Sequence, residues 1–218
     1  MNKTGKKKTV RKSGRTRSKK KRIAKNDRKF VIGFFAGLLL LAVSILGTAV
    51  ISDHFLITTS AAVVNPVVQS YEQTIEEYAE EYGIKEYVPL IEAVMMQESG
   101  GRGTDPMQAS ESGFNTQYAN TPGSIQSPDY SIAVGVRTLS QTLELAECRS
   151  VSDMDRIRLA LQGYNFGSGY ITWAQERDGG YSEENAALFA EMKAEELGWD
   201  SYGDPKYAEH VLRYYTLG

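Results

Sequence analysis

Hydrophobic and polar positions divide the chain into three stretches. Residues 1–29 are polar, with no apolar period. Phe30 to Ile51 is a mostly apolar run, uncharged for 22 residues, and beyond it apolar side chains recur at helical spacing. Val64, Val67/Val68, Tyr71, Ile75 and Tyr78 predict an amphipathic helix that stops at Gly83. Ile91, Val94 and Met95 predict a second, with Pro89 suited to its first turn and Gly100 and Gly101 ending it. An irregular loop rich in Gly, Ser, Asn and Pro runs from Gly100 to about Pro128, with room for a small hairpin. Ile132, Val136, Leu139 and Leu143 predict a third helix, and Met154, Ile157, Leu161 and Tyr164 a fourth, breaking at Gly163, Gly167 and Gly169. Ser182 caps a helix through Leu197, with Glu183 and Glu184 at its positive end. Asp204-Pro205 opens the last helix, as N-cap followed by Pro at the first position. No alternating strand pattern and no repeat occurs, so the expected fold class is mainly α, with one helical domain over residues 66–218.

Charge sharpens the division. Of the 25 Lys and Arg, 15 fall in Met1–Lys29 beside a single acid, Asp27, which leaves 10 basic and 26 acidic residues from Phe30 onward. The tail (1–29) is too polar and self-repelling to bury a core, so it reads as disordered. As a helix, the apolar run would span roughly 33 Å, enough for a hydrocarbon core of ~30 Å. Basic residues crowd its N-terminal flank, and none follows before Lys85. That asymmetry predicts a single-pass anchor over 30–52 with a cytoplasmic N-terminus, a stalk over 53–65 and an extracellular acidic domain. A cleaved signal peptide is the competing reading, with Gly47-Thr48-Ala49 or Ser60-Ala61-Ala62 as cleavage sites. The run exceeds the ~7–15 apolar residues of a usual signal, which favours the anchor. The tail then sets topology beside anionic lipid, and the acidic domain excludes nucleic acid as a partner.

Cys148 is the only cysteine, so no intramolecular disulfide and no thiolate metal cluster is expected. His54 and His210 lack ligand spacing. Neither a metal site nor a cofactor is expected.

The chemistry gathers in the second predicted helix. Glu98 follows Val94 by four residues and Met95 by three, which sets its carboxyl on their apolar stripe in the last turn. Desolvation and the negative end of the helix dipole both disfavour its charge there, raising its pKa toward that of a general acid at neutral pH. The alternative is a side chain that swings past the helix end into solvent.

Three stretches in order, IEAVMMQESGG, DPMQAS and LALQGYNFGSG, followed by YAEHVLRYY, resemble the lysozyme-like superfamily of lytic transglycosylases and goose-type lysozymes. The likeness covers roughly residues 66–216. With the anchor, the chain is similar to the muramidase modules of cell-wall hydrolases carried by Gram-positive conjugative elements. Those usually continue into a cysteine peptidase domain; here the muramidase activity alone is expected. The resemblance implies that Glu98 protonates the glycosidic oxygen between N-acetylmuramic acid and N-acetylglucosamine. It implies that Gln108 hydrogen-bonds the sugar or its N-acetyl group, unless its amide only braces the loop. Tyr164 would hold the carboxyl or the substrate, unless it is a core tyrosine. Asn165 pins its turn, and Ser99 supports the glutamate or stays idle at the surface.

The second carboxylate is open. Asp105-Pro106 stands where the family has Gly-Leu, so Asp105 can cross the cleft as a base for water or as an electrostatic partner to the oxocarbenium-like state, or merely cap a turn before proline. With a base the enzyme hydrolyses; without one, the muramyl 6-hydroxyl closes onto the anomeric carbon, as in lytic transglycosylases. Glu111, in ESGFNTQYA, imitates the catalytic Glu-Ser but has no apolar helix before it. Tyr118, Tyr130, Tyr164, Tyr170 and Trp173 are the candidate sugar-facing aromatics. The expected function is a membrane-anchored peptidoglycan muramidase acting on glycan strands, opening the wall for conjugation or secretion machinery. The rival is a non-enzymatic wall-binding scaffold of a secretion apparatus, which would not need an acid at position 98.

Overall fold

The computed structural model describes residues 64–216. The basic tail, the apolar run and nearly all of the stalk lie outside the described residues, and with them the expectation of a transmembrane anchor. Among the described residues no helix is long and apolar enough to cross a membrane, and no strand occurs.

Eight α-helices are present among the described residues: α1 Pro66–Gln69, α2 Glu72–Glu81, α3 Val88–Glu98, α4 Pro128–Leu145, α5 Met154–Phe166, α6 Gly169–Asp178, α7 Glu183–Leu197 and α8 Tyr207–Leu212. A 3₁₀ turn, Lys85–Tyr87, leads into α3. The predicted first helix is two pieces. Asn65 Oδ1 accepts from Val67 N and Val68 N to start α1, and Tyr71 N closes a tight turn onto Val68 O at 2.9 Å. The register is reset there, and α2 begins one residue later.

α3 is the central helix. The predicted stripe Ile91, Val94 and Met95 is fully buried, and so are Leu90 and Ala93, which widens the apolar face well beyond a surface stripe. It packs against α2 on one side and α8 on another. Helix α4 lies against α2 and α5, and α5 against α6 and α8. Pro128 at the first position and Ser127, whose Oγ accepts from Tyr130 N, fix the start of α4. At α7 the predicted Ser182 cap is one half of a reciprocal capping box with Asn185, and α7 ends at Leu197 with left-handed Gly198 as its cap.

Helix α6 had no place in the pattern reading, because Gly163, Gly167 and Gly169 look like breakers. Gly167, at φ +86°, does end α5. Gly169 instead starts α6, which buries Tyr170, Ile171 and Ala174. Gly163 sits inside α5 for a packing reason: a Cβ there would lie 2.4 Å from Ile171 Cγ1. The missing side chain is what lets α5 and α6 approach. The last helix also starts later than expected. Asp204 Oδ1 accepts from Lys206 N at 2.9 Å, and Tyr207 N reaches Asp204 O at 3.0 Å. Asp204-Pro205 therefore forms a turn ahead of α8.

The loop between α3 and α4 contains no hairpin. It is organised around Asp105, which is 4% exposed. Its Oδ1 accepts from Ala109 N at 2.9 Å and Ser131 Oγ at 2.6 Å, and its Oδ2 from Ser110 N at 3.2 Å and Ser110 Oγ at 2.5 Å. A buried carboxylate holding four donors is a satisfied structural node. Met107 follows and packs on α4 at Gly135, where a Cβ would stand 2.5 Å from its own Cβ.

The close approach of α5 and α6 gives a test. Gly163→Ala should destabilise the protein by about 1–3 kcal/mol through overpacking, read as a lower urea midpoint at unchanged slope. Gly169→Ala, which meets nothing within 4 Å, should stay within ~0.5 kcal/mol of the parent.

Candidate active site

Helix α3 ends at Glu98, and what lies around that carboxyl decides its chemistry. Ser99 caps the helix, and Gly100 and Gly101, both at positive φ, turn the chain away. The side chain does not swing into bulk water. Tyr207, from α8, donates its phenolic hydrogen to Glu98 Oε1 at 2.5 Å. The Tyr207 ring stacks on Tyr164 of α5, centroids 6.2 Å apart and planes 11° apart. Tyr164 in turn donates to Met107 O at 3.0 Å. Three elements distant in sequence thus meet at one carboxyl, which keeps an edge facing a groove.

Electrostatics follow from that enclosure. Burial pushes the Glu98 pKa from its ordinary value near 4.5 up to about 7; the Tyr207 hydrogen bond works against the rise, and the nearby Asp105 charge adds to it. Both tyrosine phenols are held well above their usual value by burial, with the Glu98 charge contributing. They remain neutral donors throughout the physiological range. Oε1 accepts from Tyr207, which leaves Oε2 as the oxygen open to a proton.

The placement of Tyr207 depends on two amides of α5. Asn165 Oδ1 accepts from Asp204 N at 2.7 Å. Buried Gln162 donates to Asp204 O at 2.8 Å, and its Oε1 lies 3.4 Å from Ala208 N. Gly203 passes so close that a Cβ would lie 2.7 Å from Asn165 Oδ1. Asn165 therefore pins the turn before α8, not its own.

A groove of about 790 Å³ opens beside Glu98. Gln108, Glu111, Phe114, Tyr164, Asn165, Trp199 and Tyr202 are among the residues that line it. Gln108 is exposed and adopts φ +48°, a left-handed conformation uncommon for a side chain of its kind. Its Nε2 donates to Asp105 O at 3.0 Å, which leaves the amide oxygen free to face the groove.

Two expected site residues stand elsewhere. Asp105 does not cross the groove as a free base. Both its oxygens are taken by the loop and Ser131, so it has no face for a water and acts on Glu98 only through space. Ser99 is not on the groove either. It donates to Pro106 O at 2.8 Å and accepts from Gly101 N at 3.0 Å, tying the end of α3 to the Asp105 loop.

A lysozyme-like family model matches residues 65–216. The chain belongs to the lysozyme-like family. Over 149 residues it is 40% identical to the bifunctional muramidase/DL-endopeptidase CwlT of Bacillus subtilis, covering 68% of this chain and 42% of CwlT. Over 155 residues it is 32% identical to the Bacillus subtilis membrane protein YocA, covering 65% of each. The chain therefore spans less than two thirds of the length of these relatives. A crystal structure of a Staphylococcus aureus protein, described as similar to lipoprotein of the NLP/P60 family, superposes with a TM-score of 0.59 at 31% identity. The likeness covers 72% of this chain and 55% of that one.

Within this lysozyme-like domain, several residues on or behind the groove carried no sequence signal. Tyr207 was visible only as part of YAEHVLRYY, with no hint that its hydroxyl reaches a residue 109 positions away. Of the aromatics expected to face sugar, only Tyr164 lines the groove. Tyr170 is fully buried, Trp173 packs on Tyr170 and Phe189, and Tyr118 and Tyr130 pack on each other. The exposed face comes instead from Trp199, 59% exposed and stacked 6.1 Å from Tyr202.

A buried acid of this kind weakens the fold when it ionises. In the unfolded chain Glu98 ionises near pH 4.5, in the folded chain near 7, so the penalty is absent below about 4.5, grows between the two values and is full above 7. Glu98→Gln should therefore gain stability over the parent by an amount of order 3 kcal/mol at pH 8 and almost nothing at pH 4. Denaturant melts at the two pH values would check the sign.

Proposed function

We propose that this chain is a cell-wall hydrolase: a peptidoglycan muramidase that cleaves the β-1,4 bond from N-acetylmuramic acid to N-acetylglucosamine. The observation that carries the reading is Glu98, a carboxyl with a pKa of about 7 backed by Tyr207 and facing a groove. At neutral pH a large fraction is protonated, which a carboxyl of ordinary pKa would not be. Oε2 delivers its proton to the departing glycosidic oxygen as the C–O bond breaks. The carboxylate left behind keeps the Tyr207 hydrogen bond, which strengthens as charge develops on Oε1. Gln108 and Asn165 offer amides to the N-acetyl groups, and Trp199 with Tyr202 offers a ring face to a pyranose.

The relative CwlT, whose name describes a muramidase joined to an endopeptidase, supports the substrate class. The proposed layout is a basic cytoplasmic tail (1–29), a membrane anchor (30–52), a stalk (53–65) and the lysozyme-like domain (66–218) outside the cell. Held close to the membrane, such an enzyme opens the wall locally, which suits conjugation or secretion machinery. The sequence asymmetry between tail and domain supports this topology.

A second reading is favoured by one observation. Asp105, the expected base, is consumed by the loop. An enzyme with a single working carboxyl would let the muramyl 6-hydroxyl attack the anomeric carbon and release 1,6-anhydro ends, as a lytic transglycosylase.

The full chain in detergent should release soluble fragments from purified peptidoglycan, and Glu98→Gln should lose at least about 100-fold in rate. Activity should fall as pH rises through about 7, where Glu98 loses its proton. Tyr207→Phe removes the bond that lowers the Glu98 pKa, so its alkaline limb should move to higher pH while kcat drops roughly tenfold. Unchanged activity in Glu98→Gln would remove the assignment. Trp199→Ala should raise KM several-fold on long glycan strands with kcat nearly constant, as expected for loss of a stacking surface.

A further inference from the structure

Cleavage by water needs a group that takes a proton from the attacking oxygen, in addition to the acid that protonates the departing one. Asp105 is occupied. Among the groove-lining residues there is one other carboxylate, Glu111. Its side chain is exposed, and no hydrogen bond or ion pair joins it to another described residue. The carboxylate is therefore open to solvent in the same groove as the acid.

Its turn is nonetheless rigid. Just before it, Ser110 is clamped by Asp105 through both its backbone N and its Oγ, and that Oγ also accepts from Ile125 N at 3.0 Å. Just after it, Ser112 Oγ lies 2.7 Å from Thr138 Oγ1 of α4 and accepts from Phe114 N. Asn115 closes the turn by donating to Ser110 O at 2.7 Å. The Arg137 guanidinium lies 4.2 Å above the Phe114 ring. An exposed glutamate anchored on both flanks costs little further ordering when a substrate and a water arrive, unlike one on a loose loop.

We propose that Glu111 is the general base of a hydrolytic reaction, a role that rests on the muramidase reading above. Its carboxylate takes one proton from a water in the groove. The water oxygen forms a bond to the anomeric carbon of the muramyl residue as the bond to the N-acetylglucosamine oxygen breaks. The electron pair of that bond goes to the departing oxygen, which takes the proton of Glu98 Oε2. The cycle leaves Glu111 protonated and Glu98 ionised, and one proton exchanged through solvent restores both. Asp105 then acts as a positioning residue, because it builds the turn that presents Glu111.

The test uses the full chain in detergent with purified peptidoglycan, comparing the parent with Glu98→Gln, Glu111→Gln and Glu111→Ala. Circular dichroism monitors folding, which an exposed side chain should not disturb. Counting new reducing ends, both Glu111 variants should lose about 10²-fold or more in kcat, with KM within about twofold. Sodium azide, which attacks without needing a base, should restore turnover to Glu111→Ala and yield a muramyl azide, detected by mass. A rate within threefold of the parent in the Glu111 variants overturns the proposal. So does a loss that azide fails to restore, or a parent that releases only anhydro ends, since no water then attacks. Full activity in Glu98→Gln would sink the muramidase reading itself, whatever the Glu111 variants do.

Discussion

The contact between Tyr207 and Glu98 joins the end of the central helix to the last helix of the domain, and much of the architecture serves to hold it. A carboxyl forced among apolar side chains loses its charge unless something stabilises the anion, while one that is well supplied with donors ionises too early to serve as an acid. One phenol donor lies between these extremes. It orients the carboxyl and would steady its charge on ionisation, yet burial still dominates and keeps the pKa near neutrality. A cationic partner in place of the phenol would hold the carboxyl ionised at the pH where the proposed acid must give up its proton. Burial also makes the geometry demanding. The phenol must reach Oε1 while the carboxyl still lines the groove.

Two polar clusters meet that demand from opposite sides in sequence. Gln162 and Asn165 of α5 grip the turn at Asp204, and so fix where α8 starts and where Tyr207 points. Asp105 gathers Ala109, Ser110 and Ser131, and so fixes the loop whose Met107 carbonyl receives Tyr164. Tyr164 and Tyr207 then stack, which locks the two clusters to each other. Gln162 and Asp105 are buried at the centre of the two clusters and hydrogen-bonded there, so the pair specifies one arrangement of groove and acid. Losing one member of such a network leaves several buried groups unpaired. An effect on catalysis from changing Asp105 therefore need not mean that Asp105 touches substrate.

Where the chain's own local chemistry decides the structure, the sequence was legible. Ser182 at the start of α7, the glycines after Glu98 and the stripe Ile91, Val94 and Met95 follow from capping rules and periodicity. Helix α6 was hidden because its first residue is a glycine that, in a pattern, is indistinguishable from the breaker Gly167. Gly163 looked like a break because close packing of two helices leaves the same mark as a chain turn: a missing side chain. The acid itself was readable, since a glutamate on an apolar face is a local contradiction that burial explains. Its partner Tyr207, the role of Asp105 and the exposure of Trp199 are tertiary facts. In the sequence a buried carboxylate with four donors and an exposed one in a groove are alike loop acids, and only the fold distinguishes the roles of Asp105 and Glu111.

For the proposed action on cell-wall glycan, the acidic balance of residues 30–218 adds one constraint on recognition. Wall polymers are anionic as well, so a net negative domain gains no long-range attraction toward them. Affinity must come from contacts made inside the groove, where amides and ring faces act at short range and salt has little influence. Trp199, stacked on Tyr202 at the groove edge, fits that requirement: an indole offers a broad apolar surface to a pyranose without carrying charge. Repulsion outside and adhesion inside would together keep the proposed muramidase from sticking along the wall, while a strand bound in the groove would be held at Glu98 long enough to react. A neutral or basic domain surface would strengthen loose binding everywhere and blur that distinction, which gives the acidic surface a physical reason independent of solubility.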